Sequence, residues 1–65
     1  MKRDDALILL NALRKAHRYW IPDMETSKFL EDLDFEIRVG GLKVLTHYES
    51  DRLQRIYREA QENAL

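Results

Sequence analysis

FEIRVGGLKVLT, residues 35–46, is the stretch on which the fold turns. Phe35, Ile37 and Val39 alternate with Glu36 and Arg38, and Leu42 and Val44 alternate with Lys43, a period of two that suits a half-buried strand. Gly40-Gly41 stands between the two runs, and paired glycines tolerate the positive φ that a two-residue hairpin turn needs. In that register Val39 faces Leu42, Ile37 faces Val44 and Phe35 faces Thr46 on one side. On the other side Asp34 meets His47, Glu36 meets Leu45, and Arg38 meets Lys43 near the tip as a like-charge pair. The reading is a β-hairpin; the alternative is a helix broken at the glycines, because short apolar runs fit both.

Upstream, Ala6 to Trp20 reads as one amphipathic helix. At about 100° per residue, Ala6, Leu9, Leu10, Leu13, Ala16 and Trp20 share an arc that takes in Ala12 and His17, with Ile8 and Tyr19 extending one flank. A surface helix needs an apolar stripe of about 100°, and this arc is roughly twice as wide. Asp4 or Asp5 is the expected cap, the cations Arg14, Lys15 and Arg18 suit the negative end of the dipole, and Pro22 ends the helix by forcing Ile21 toward extended geometry. Asp23 then caps a short second helix to about Leu33, with Thr26, Phe29, Leu30 and Leu33 on one face and Met24 pointing elsewhere.

Downstream of the hairpin, Ser50 is the expected cap of a last helix on which Leu53, Ile56, Tyr57, Ala60 and Ala64 form a stripe. Thr46 and Glu49 also spell a capping box, but a start there puts Glu49 on the apolar face and Tyr48 on the polar one. Arg52, Arg55 and Arg58 fall opposite the stripe, interleaved with Glu59 and Glu62 as a solvated face. The expectation is therefore a single α+β domain over residues 1–65, ordered helix, short helix, β-hairpin, helix.

A chain of 65 residues buries only about 60% of the surface its unfolded form exposes, so its core is marginal. With no cysteine it has no disulfide or thiolate metal site to add stability, and association is the remaining common device. A homodimer is expected, its seam on the flank bearing Ile8, Tyr19 and Trp20. The apolar runs are too short for a signal peptide or a membrane span, which gives a cytoplasmic protein with no membrane partner as the expectation.

The net charge of -1 is no polyanion-binding signature, yet its distribution is uneven. Residues 1–20 carry a net +3 and residues 23–36 a net -5. Either the acidic segment folds back on the basic face of the first helix, or one patch docks a partner of opposite charge.

His17 and His47 stand far apart with no second ligand at metal-binding spacing, so no metal or other cofactor is expected. His47 can pair with Asp34 across the hairpin. Asp32, Asp34 and Glu36 have no desolvated pocket to tune them, Gly40-Gly41 is no phosphate loop, and Ser27 and Ser50 lie in no nucleophile motif; no catalytic residue is assigned and no enzyme is expected.

Arg18, Tyr19 and Trp20 combine aromatic and guanidinium groups of the kind enriched in interface hot spots, although Trp20 can equally plug the core. The functional expectation is a small protein-interaction module, an adaptor, regulator or inhibitor acting as a homodimer, with Ile8, Arg18, Tyr19 and Trp20 as the partner or dimer surface. Its alternatives are a nucleic-acid-binding regulator that uses Arg38 and Lys43 at a basic hairpin tip, and a structural part of a larger assembly.

Overall fold

In the computed structural model, which describes residues 1–64, the chain is three helices: α1 (Arg3–Ala16), α2 (Met24–Arg38) and α3 (His47–Glu62). There is no hairpin and no strand among the described residues, so the α+β expectation is wrong and the domain is all-helical. The second helix runs through Arg38 instead of stopping near Leu33. Leu33 and Ile37, four apart, are both buried on its inner face, where half-buried Phe29 and Leu30 pack beside them. Ile37 is 1% exposed, whereas Phe35 and Val39, its intended companions on a strand face, are 62% and 69% exposed. The period of two was thus a coincidence laid over a period of 3.6.

Glycine ends the helix where a hairpin turn was expected. Gly41 takes a φ of +75°, the left-handed conformation favoured after helix C-termini. The Leu42 N–H then returns to the Glu36 carbonyl at 3.0 Å, and the Val39 and Gly40 N–H groups both donate to the Phe35 carbonyl. A Cβ on Gly40 would sit 2.9 Å from the Glu36 carbonyl oxygen, so the first glycine is needed for close approach and the second for its backbone angle. The loop that follows drops Leu45 into the core and packs Leu42 against it.

That loop also starts α1. Lys2 and Val44 form an isolated antiparallel bridge in which the Arg3 N–H donates to the Lys43 carbonyl and the Leu45 N–H to the Met1 carbonyl, each at 2.9 Å. Lys2 is the N-cap and makes no side-chain cap bond; Asp4 and Asp5 sit in the first turn, favourable to the dipole but not capping. Thr46, and not Ser50, caps α3. Its hydroxyl accepts from the Glu49 N–H at 3.1 Å while the Glu49 carboxylate accepts from the Thr46 N–H at 2.9 Å. Two satisfied backbone donors outweigh leaving Tyr48 exposed.

The core lies between α1 and α3, which pack on each other most extensively. Ala6, Leu10, Leu13 and Ala16 of α1 meet Leu53, Ile56 and Ala60 of α3, with Leu33 and Ile37 of α2 closing the cluster. Small residues at Ala6, Ala16 and Ala60 let the backbones approach. The acidic α2 does fold onto basic α1: the Asp34 carboxylate holds Arg38 at 2.7 Å and stands 3.7 Å from Arg14, and Arg38 also donates to the Asn11 side-chain oxygen at 3.2 Å. These groups are partly exposed, so they set the α1–α2 register more than they stabilise it.

Candidate functional site

The apolar arc of α1 does not continue as helix to Trp20. The Tyr19 and Trp20 N–H groups both bond the Ala16 carbonyl, at 3.0 and 2.8 Å, which closes the last turn early. The connector then alternates. Trp20 is 8% exposed and Pro22 is buried, while Tyr19 is half exposed and Ile21 is 81% exposed. Two inward anchors therefore hold two large apolar side chains outward on a short, tethered segment. Met24, 89% exposed as the first residue of α2, belongs to the same end of the molecule.

Beside the connector is a shallow hollow lined by Ala12, Lys15, Ala16, Arg18 and Tyr19. Lys15 and Arg18 make no ion pair among the described residues, although both complement the C-terminal end of the α1 dipole. The hollow thus has a small-residue floor, an aromatic side and two uncompensated cations. That arrangement can receive an acidic segment with an apolar tip. It offers no nucleophile paired with a base.

The far side of the connector is fixed by Asp23, whose carboxylate accepts from the Thr26 N–H at 2.7 Å. The Thr26 N–H bond, then the Thr26 side-chain bond, hold this carboxyl below the ordinary aspartate range, with desolvation opposing them and the Arg52 charge adding least. A depressed folded pKa means that the cap's contribution is present above the unfolded value and is lost as pH falls through the folded one. Below pH 3.8, melting temperature is therefore expected to fall more steeply in the wild type than in Asp23→Asn, whose amide caps without titrating. Parallel melting curves for the two proteins through that range would contradict the assignment.

Of the residues expected at a partner or dimer surface, Arg18 and Tyr19 lie on the hollow and Trp20 is in the core. Ile8 is elsewhere: it is 66% exposed on a groove between α1 and α3 and is not brought together with Tyr19. Ile21 and Met24 were missed. The signal was available, since one was set aside as a pre-proline residue and the other lay off the apolar face of its helix.

The basic hairpin tip does not exist. Arg38 is in the last turn of α2, committed to Asp34 and Asn11, and Lys43 lies in the loop whose carbonyl pairs with Arg3. His47 is on α3, 3.6 Å from Asp51, and does not meet Asp34, because helix replaces the strand that would have paired them. Arg52 leaves the expected solvated row: it lies 4.5 Å over the Phe29 ring, bonds the Tyr48 hydroxyl at 3.1 Å and stands 4.0 Å from Glu25, tying α3 to α2. Among the described residues no helix is long and apolar enough to cross a membrane. No family model, no curated protein and no solved structure matches the chain.

Proposed function

We propose that the protein is a small non-catalytic interaction module whose contact surface is the end formed by the α1 C-terminus and the connector. The observation that carries this reading is the pinned alternation at residues 19–22: buried Trp20 and Pro22 hold Tyr19 and Ile21 in solvent, next to Lys15 and Arg18, which make no ion pair among the described residues. Exposed apolar side chains on a held segment bind at low ordering cost, and a Tyr and Arg pair suits an interface centre. The chemistry selects an acidic partner segment with an apolar residue to set against Tyr19.

Site-specific photo-crosslinking in the host cell tests this. A crosslinking amino acid at position 19 or 21 is expected to capture a protein, and the yield is expected to fall about tenfold when Lys15 and Arg18 are both replaced by Glu. The same probe at exposed Lys43, in the loop beside the α1 N-terminus at the opposite end of the molecule, is the control. Equal yields at all three positions, or yields indifferent to the charge reversal, would refute the proposal.

A further inference from the structure

We infer that the groove between α1 and α3 is the seam of a two-fold homodimer, a surface separate from the connector. Both helices leave from the same end of the molecule, because Lys2 pairs with Val44 and the Leu45 N–H donates to the Met1 carbonyl just before α3 begins. The groove between them has a volume of about 700 Å³. Along α1 it is lined by Asp5, Ile8 and Leu9, and along α3 by Gln54, Tyr57 and Arg58. Ile8 is exposed, while Leu9 and Tyr57 form a half-buried apolar floor.

The charges decide the occupant. Asp5 lies toward the end where both helices start, Arg58 lies further along, and Ile8 is between them in order along the groove. Neither Asp5 nor Arg58 makes an ion pair among the described residues. A two-fold axis near Ile8 reverses the groove. It sets Ile8 against Ile8 of the second copy, and it brings Asp5 of each copy to Arg58 of the other, twice. A groove that carries its own apolar knob and both members of a charge pair is complementary to itself, as an isologous interface requires. The occupant is a second copy of this chain, presenting α1 in the helix-in-groove manner.

The groove's lining is smaller than the roughly 20–30 residues per side of a standard interface, so a weak dimer is expected and the measurement must reach high concentration. Sedimentation equilibrium of the full chain from about 5 µM to about 1 mM is expected to show a monomer–dimer equilibrium within that range. Ile8→Glu, which would bury a carboxylate at the axis, is expected to weaken association at least about tenfold. Asp5→Arg and Arg58→Asp alone are each expected to weaken it about threefold or more, and the two together to restore it to within about twofold of wild type.

All three sites are exposed in the protomer, and unchanged helical circular dichroism verifies that each variant is folded. A monomer throughout the range overturns the proposal. So does a dimer indifferent to Ile8→Glu, or one that the double reversal fails to rescue. Charge reversal at Lys15 and Arg18 leaves this equilibrium unchanged, so failure of the dimer and failure of the connector site are separately visible.

Discussion

Trp20→Ala is expected to leave about half of the molecules unfolded at 25 °C. Trp20 is 8% exposed in the cluster that α1, α2 and α3 share, and its N–H is held by the Ala16 carbonyl at 2.8 Å. Deleting a buried indole costs about 3–5 kcal/mol, partly as lost transfer energy and partly as cavity. A core of this size rarely supplies more than about 3–5 kcal/mol in total, so the two quantities nearly cancel. Tyr19→Ala, one residue earlier and half exposed, is expected to change stability by about 0.5 kcal/mol or less. Urea unfolding followed by far-ultraviolet circular dichroism reads both. Equal midpoints for the two variants would mean that Trp20 is not an anchor, and the outward presentation of Tyr19 and Ile21 would lose its cause.

The second large effect is at Ile37. Ile37→Ala is expected to cost about 2–5 kcal/mol, because the side chain is 1% exposed against the core. Phe35→Ala and Val39→Ala, at 62% and 69% exposure, are expected to cost about 0.5 kcal/mol or less each, beyond any change in helix propensity. A hairpin would bury all three side chains on one face and make the losses comparable. The three variants therefore separate helix from strand by stability alone. A Phe35 or Val39 loss matching that of Ile37 would restore the hairpin.

How far the chain could be read depended on whether a signal was local. Asp23 as the cap of α2 was legible because an acidic residue after a proline has few other uses, and its bond to the Thr26 N–H forms within three residues. The stripe of Leu53, Ile56 and Ala60 was legible for the same reason, being a single periodicity with no competitor. The segment around Gly40 was not. Phe35, Ile37 and Val39 match a strand face in sequence, and what decides against it is that Leu33 and Ile37 find a common neighbour in α1 and α3. Exposing Phe35 and Val39 is tolerated because the helix satisfies its own backbone, whereas a lone two-stranded hairpin is marginal in water. The Thr46 capping box was visible as a pattern but was outweighed by the side Tyr48 would face, a poor criterion at a helix's first turn, where burial is slight.

The candidate surface was half legible. Arg18 and Tyr19 stand out by residue type, but nothing in their spacing says that Trp20 turns inward while Ile21 turns outward. That follows from the early closure of α1 on the Ala16 carbonyl. Ile8 was marked as exposed apolar surface from the width of the α1 arc. Its separation from Tyr19, and its place opposite Tyr57 and Arg58, required the packing of α3.

By itself the sequence determined where α2 begins, which positions can be buried, the uneven charge of the two halves, and that α1 carries more apolar surface than one neighbour covers. Only the tertiary structure decided that residues 35–38 continue a helix, that the glycines are its end, and that Trp20 and Ile8 lie on opposite sides of the question of burial. The physical reason is that backbone bonding and helix periodicity are settled over a few residues, whereas the burial of Ile37 or Trp20 depends on surfaces that other helices bring from far along the chain.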